Sequence, residues 1–593
     1  MRITSGKFAP VGLACALCVS AIFTAAHADP PAPRAGQAKK PAPPPAASTE
    51  AKRIAIGDVV FTGYVRGSTD FSTKADLFGP NTMVEVPDKN SKSLLKIHAD
   101  EMHFLRGKGP GREIVEMHGH VRYAVTQSTP EGERRLNGTA GHGDFHRETH
   151  KIALTNGVQC EMTDPRLDGP GTLRAGKVVV DISSTPYLYT LDGDSGTNDV
   201  RFTPRPRDIK KNPNGQIGRV HVTQWATGTF QPGKVVSFDG QLVLADLQSR
   251  SGAQAGQLKA RHIQGDFAPS GELVKARANE DVHYRMERPI SRKLADGKTQ
   301  EGRQEVTGTS NEAIFEPAAG RFTLDGAIDA TLVNTLYFAE PAKLLASRLV
   351  VTEPAEGEEK QGLRYELTGA PNHRRLSFRT LPPPPKPADR ASASTPPGFT
   401  LGSIVLTGFQ TGVLLPGQKM DLTSDGKQML LLDTSDAKTN SASHMETHRF
   451  TATLAETGAI TEAQTEGPVT FHIQQPGPPH EAKGAPGAPA TSVPGQMQSL
   501  DGNAAKAVYK SGDKGQSIAL QGPFTARVTD PEHLIGPGSV KGQKNDSLAL
   551  DLGTRTFDFS SPEATMVMNF VPRPVEPEAD KAAPKLPEDK RKK

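Results

Sequence analysis

Seven histidines fall between His98 and His150, and His142, His146 and His150 recur at every fourth residue. On a helix that spacing would stack three imidazoles on one face, as in a zinc site. Hydrolysis is the other chemistry the residue types suggest. Gly193-Asp194-Ser195-Gly196 has the form of a nucleophilic-serine loop, and Thr24-Ala25-Ala26-His27 that of the histidine segment such a serine needs. Cysteine chemistry has three candidates, Cys15, Cys18 and Cys160. No Walker loop, HExxH motif or dinucleotide fingerprint occurs. What these groups can do depends on the elements that carry them.

The N-terminus removes several of them. Arg2 and Lys7 flank the start of a mostly apolar, small-residue run, Phe8 to Ala25, which closes on Ala26-His27-Ala28, the form of a signal-peptidase site. Residues 1–28 read as a cleaved signal peptide; an uncleaved inner-membrane anchor is the alternative, because the run is nearly long enough to span a bilayer. Cleavage discards His27, Cys15 and Cys18, so the serine loop loses its base. Cys160 alone makes no internal disulfide, and packing must hold the mature chain together. The expectation is an exported, periplasmic, non-enzymatic protein with no metal and no cofactor. Among its 593 residues, 70 Lys+Arg face 66 Asp+Glu, which leaves no field to hold nucleic acid.

The 58 Gly and 49 Pro divide the chain. Residues 29–53 are a Pro/Ala/Lys tether, 203–216 a shorter break, 381–399 a Pro-rich linker and 574–593 a charged tail. Between them lie modules at 54–203, 217–380 and 400–573, the last carrying a loop at 475–497. The modules are copies of one another. They open on Gly57-Asp58-Val59-Val60-Phe61-Thr62, Gly218-Arg219-Val220-His221-Val222-Thr223 and Gly402-Ser403-Ile404-Val405-Leu406-Thr407.

Two rows of strict alternation follow in each copy. The first row runs through Val115, Met117, Gly119, Val121, Tyr123 and Val125; through Val274, Ala276, Ala278, Glu280, Val282, Tyr284 and Met286; and through Ala463, Thr465, Gly467, Val469, Phe471 and Ile473. The second follows a Leu/Val-x-Gly signature at Gly138, Gly308 and Gly502. It runs through Ile152, Leu154, Asn156, Val158 and Cys160; Phe322, Leu324, Gly326, Ile328 and Ala330; and Ile518, Leu520, Gly522, Phe524 and Ala526. A period of two held this long predicts long, half-buried β-strands, and the mid-row Asn or Gly predicts a bend. The fold class is all-β, three times over. In that alignment His142 matches Glu312 and Lys506, and His146 matches Glu316 and Lys510. The histidines therefore read as a solvated strand face, although His118 and His120 share a face and could bind a metal weakly. Arg122, Arg285, Arg321 and Arg527 read as outward or rim positions.

Gly138-Thr139-Ala140-Gly141-His142-Gly143-Asp144-Phe145-His146, followed by Lys151-Ile152-Ala153-Leu154-Thr155-Asn156-Gly157-Val158 and Phe202-Thr203-Pro204, resembles the OstA/LptA repeat of periplasmic lipopolysaccharide-transport proteins (LptA, LptC and the periplasmic part of LptD). Copies two and three carry it around Gly308, Phe315, Phe322, Leu324 and Gly326, and around Gly502, Tyr509, Ile518, Leu520 and Gly522. The three fused copies, the Pro-rich linkers and the long loop of copy three depart from the family pattern. The resemblance implies V-shaped, two-sheet β-jellyroll modules with apolar grooves for the acyl chains of lipopolysaccharide or a related lipid. It further implies an inner-membrane ABC exporter and an outer-membrane LptD-like translocon as partners, with open edges available for β-augmentation with itself. Groove candidates are Val121, Tyr123, Phe145, Ile152, Leu154 and Val158; Val282, Tyr284, Phe315, Phe322, Leu324 and Ile328; and Val469, Phe471, Tyr509, Ile518, Leu520 and Phe524. The residues alone leave a closed core equally open for each. A structural or adhesive envelope repeat without lipid, and a membrane-anchored LptC-like component, remain as alternatives.

Overall fold

The computed structural model describes most of residues 53–574; segments 89–92, 108–112, 207–216, 353–363, 381–401 and 482–491, with a few shorter ones, lie outside the described residues. The expected signal peptide, N-terminal tether, Pro-rich linker and charged tail, and most of the loop at 475–497, fall there. The described chain is all-β: it has no α-helix, and one 3-10 turn at Pro317–Ala319. No described helix is long and apolar enough to cross a membrane.

Copy one is built on Lys74–Asp88, Ser93–Arg106, Glu113–Thr129, Gly132–His146 and Lys151–Thr163, each antiparallel to the next. Every pairing slips register at mid-strand: at Phe78/Thr82, His98/Glu101, His118/Val121 and Thr139/His142, then at Thr155/Val158 against Gly171–Asp181. The slips lie side by side, so each strand bends along one common line. Phe61 stands opposite Val84, beyond that line, and Phe104 stands opposite Ala75, before it. Their rings nonetheless meet edge to face with centroids 6.0 Å apart. The two halves of the bent sheet thus face each other, and their alternate side chains make one buried core.

Copy two repeats the device, slipping at Asp239/Val243, Lys259/His262, Asn279/Val282, Thr309/Glu312 and Asp325/Ile328. In copy three the bend becomes a break: Ser441–Thr447 gives way to Arg449–Leu454, and Ile460–Glu466 to Val469–Pro476. Asn156, Gly326 and Gly522 sit at the bends with φ of 66, 71 and 79°, as the second row predicted. The first row needs a correction. Gly119, Glu280 and Gly467 are also left-handed, at φ 69, 62 and 87°, so Glu280 is an exposed bulge residue and not part of the inward row. Val274, at the row's end, is 45% exposed.

The Leu/Val-x-Gly signature has a packing reason. A Cβ on Gly138 or Gly308 would collide with the ring of Tyr123 or Tyr284 on the neighbouring strand, and one on Gly502 would crowd Phe471. The glycine lets an aromatic ring lie across its strand. In copy one the Tyr123 hydroxyl thereby reaches the Cys160 sulfur, one strand further on.

The chain forms two compact units. One takes in residues up to Arg374 with Val413–Pro416, the other Arg375–Gly412 and the chain from Gly417. Within the first, copies one and two share sheets. Tyr189 pairs with Phe230 and Asp199 with Thr223, so the break at 203–216 is spanned by paired strands on either side. Arg166 fastens this junction: its Nε donates to the Pro269 carbonyl at 3.0 Å, while Gly233 and Gly271 lie against its side chain and backbone. Gly271 has φ of 94°, and a Cβ there would strike the Arg166 carbonyl. Gly271→Ala is therefore expected to cost more than the roughly 1–3 kcal/mol of left-handed strain alone. A urea-denaturation midpoint no lower than wild type would reject this account of the junction.

Candidate functional site

An apolar cavity of about 100 Å³ lies inside copy two, next to its junction with copy one. Its wall includes Phe202, Val236, Phe238, Leu258, Ile263 and Phe267, with Tyr284, Phe315 and Phe322 from the expected groove set. The aligned register slips explain the space in copy two. Counting from the slips, Val84 of copy one corresponds to Ala245, Leu95 to Gly256, Phe104 to Gly265, Val115 to Ala276 and Met117 to Ala278. All five copy-one residues are buried, and all five of their counterparts line the cavity. Five large-to-small exchanges on facing strands leave a void that the backbone does not collapse to fill.

The inner wall is also less covered in copy two. Leu95, Ile97, Met102 and Phe104 are buried on the Ser93–Arg106 strand, whereas Leu258, Ile263 and Phe267 on Ala255–Phe267 are only half-buried. Leu247 and Met286 are half-buried as well. At Gly256 a Cβ would meet only Leu247 and Met286, at 3.7 and 3.9 Å. This is an apolar face with room beside it. A second, smaller cavity of about 40 Å³ in copy three touches Tyr509 and Ile518 among the groove candidates. Its wall carries hydroxyls, with Thr434 bonded to Ser443 at 2.7 Å.

The remaining candidates are core residues. Val121, Tyr123, Phe145, Ile152, Leu154 and Val158 pack in the continuous core of copy one. Val282, Leu324, Ile328, Val469, Phe471, Leu520 and Phe524 are buried too. The rows therefore identified inward-facing residues, but they missed the strands that make one wall of the larger cavity, Val235–Ser249 and Ala255–Phe267. The small residues Ala245, Gly256 and Gly265 on those strands were the available signal.

Other chemistry is quiet. Burial pushes the Cys160 thiol up to about 12, so it is no nucleophile at neutral pH. Arg122, Arg285, Arg321 and Arg527 are exposed on the outer face, as expected. Behind Gly256 the outer face has a polar hollow of about 560 Å³ lined by Arg201, Arg219, His221 and Arg285. Its charge is largely compensated: Arg201 holds Asp199 at 2.7 Å and Arg285 holds Glu305 at 2.9 Å.

The histidines of copy one also lie on an outer face. His103 has Asp76 at 2.7 Å on Nδ1 and Glu101 at 2.8 Å on Nε2. Burial opposes its protonation, but the two carboxylates outweigh burial and raise its pKa. His120 stands out at the bulge, bonded to Asp100 at 2.6 Å. His118 does not pair with His120 in space. It meets His142, its register partner on the next strand.

Compared with known proteins, the chain matches no family model, and no curated protein matches it.

Proposed function

We propose that the protein is an exported, non-enzymatic lipid carrier that holds the acyl part of lipopolysaccharide or a related amphiphile between the sheet halves of copy two. The observation that carries this reading is the apolar cavity with its half-buried wall, present where copy two has Gly256, Gly265 and Ala278 in place of Leu95, Phe104 and Met117. The resemblance to the OstA/LptA repeat supports the same reading and adds its setting: a periplasm, V-shaped jellyroll modules, an inner-membrane exporter and an LptD-like translocon.

Size sets how binding must proceed. An engineered apolar cavity of about 150 Å³ takes up benzene, so about 100 Å³ holds only a short stretch of chain. A longer acyl chain is accommodated when Leu247, Leu258, Ile263 and Met286 move aside. Ten methylenes at about 0.8 kcal/mol each give roughly 8 kcal/mol gross, which corresponds to micromolar affinity before ordering costs. Copy one, closed at the matching positions, acts in this reading as the scaffold that fixes the junction end of the groove.

The test is extraction and mass spectrometry of lipids that co-purify with the mature protein, alongside titration with radiolabelled lipopolysaccharide. Acylated lipid in the extract and saturable uptake are expected. A lipid-free preparation that also takes up no lipopolysaccharide leaves the alternative, a structural envelope repeat with closed cores.

A further inference from the structure

We propose that His118 and His142 form a two-histidine platform for a borderline divalent transition-metal ion, of the Zn²⁺ or Cu²⁺ class, on the outer face of copy one. This site is separate from the apolar cavity and does not depend on the lipid reading. Glu113–Thr129 and Gly132–His146 are neighbouring antiparallel strands, and His118 is directly opposite His142 in their register. The two Nδ1 atoms are 3.0 Å apart and the ring centroids 4.4 Å. Two nitrogens bound tetrahedrally at about 2.0–2.1 Å to one zinc ion lie roughly 3.3 Å from each other, so the pair needs only a small displacement to admit the ion.

One tautomer suits this. Nε2 of His142 lies 3.1 Å from Asp144 Oδ1, and a carboxylate accepts only a proton-bearing nitrogen. With its proton on Nε2, toward Asp144, His142 offers the Nδ1 lone pair to Nδ1–H of His118. A carboxylate behind a histidine that offers its other nitrogen is the arrangement that orients metal-ligating imidazoles. On binding, the Nδ1 proton of His118 leaves for solvent or moves to Nε2 of the same ring, and both lone pairs point at the ion.

Carboxylates surround the pair, with Asp76 held by Lys74 at 2.9 Å and by His103, and Glu101 held by His103. Glu101 stands opposite His118, and Glu116 stands opposite both His103 and Asp144. Asp76 lies one strand further out, opposite His103. Among the described residues no three His, Cys, Asp or Glu side chains already surround a metal-sized point. Water, or Glu101 released from His103, therefore completes the coordination shell. The imidazoles remain reachable, since His142 is 25% exposed.

The experiment titrates the untagged full-length mature protein with ZnCl₂ by calorimetry, and with CuCl₂ by electron paramagnetic resonance to count nitrogen ligands. His118→Gln and His142→Gln, which keep a polar strand face, should each remove one binding equivalent and the two-nitrogen copper signature. Asp144→Asn should weaken that equivalent about tenfold, the low end of what outer carboxylates contribute. His120→Gln, at the exposed bulge, should leave it unchanged. Metal uptake by wild type that is the same in His118→Gln and His142→Gln, or no uptake by wild type at millimolar metal, overturns the proposal.

Discussion

If copy two carries a lipid as proposed, the double variant Gly256→Leu/Ala278→Met should lose it while becoming no less stable than wild type. Both substitutions restore the copy-one residue at the matching position, Leu95 and Met117, where the same strands pack as a closed core. Gly256 has no left-handed φ, and a Cβ there meets only Leu247 and Met286 at ordinary contact distance, so leucine meets neither backbone strain nor a clash at its Cβ. Cavities in protein cores cost about 24 cal/mol per Å³. Filling one of about 100 Å³ is thus worth up to roughly 2 kcal/mol, less whatever overpacking takes back. Co-purifying lipid measured by mass spectrometry should fall to background while the melting temperature holds or rises. Wild-type lipid content in the folded double variant would place the ligand elsewhere.

This design separates two effects that a charged substitution confounds. Aspartate at Leu324 would bury an unpaired carboxylate in a position that is 1% exposed. Loss of lipid could then reflect loss of the module. An apolar filler removes the space and leaves the core intact, so binding and folding are read independently.

The all-β class was legible because period-two alternation has one physical source, a strand with one wet face. The bends at Asn156, Gly326 and Gly522 were legible because only Gly and Asn take left-handed φ readily. The bend at Glu280 was not, since its left-handed conformation is imposed by the slips of its neighbours and not by its own preference. The inward-facing candidates were legible only as a class. Alternation identifies which side chains point inward; whether they meet depends on the volumes of facing residues on other strands, so Leu154 and Phe322 look alike in sequence and differ in surroundings. The contact of His118 with His142 was hidden because strand register had to be known across a bulge. Spacing alone places His118 with His120, whereas the structure bonds His120 to Asp100 and seats His118 against His142.

The second large effect concerns a buried ion pair and how a sister copy does without it. Arg134 and Asp164 are 2% and 6% exposed, with Nε of the guanidinium 2.9 Å from the carboxylate. Copy two places Gln304 opposite Asn334 at the same register, buried and uncharged. In both copies the carbonyl oxygen of the acidic or amide side chain also closes a turn, Asp164 accepting from Arg166 N at 2.9 Å and Asn334 from Leu336 N at 3.1 Å. Arg134→Gln alone should cost about 3–5 kcal/mol, because it leaves the buried Asp164 carboxylate with only the more distant Arg166 guanidinium at 3.8 Å, and Asp164→Asn alone should cost a similar amount because it leaves the buried Arg134 guanidinium with only Glu131 at 3.9 Å. The double variant Arg134→Gln/Asp164→Asn recreates the copy-two pair and should fall within about 1 kcal/mol of wild type, a large coupling energy in a double-mutant cycle. Additive costs, measured by urea denaturation, would sink the idea that the copies are interchangeable here. Burial, working against the pull of Arg134, pushes the Asp164 carboxyl up to about 6, above the roughly 3.9 of an unfolded aspartate. Between those values the folded chain holds a proton that the unfolded chain releases, so this group's contribution to stability falls as pH rises from about 4 to about 6 and is flat above. Asp164→Asn should erase that slope. The Asp164 turn carries Arg166 onto Pro269 and Gly271, between the cavity-lining Phe267 and Leu273, so in the lipid-carrier reading the single variants should also lose lipid, and the double variant should regain it.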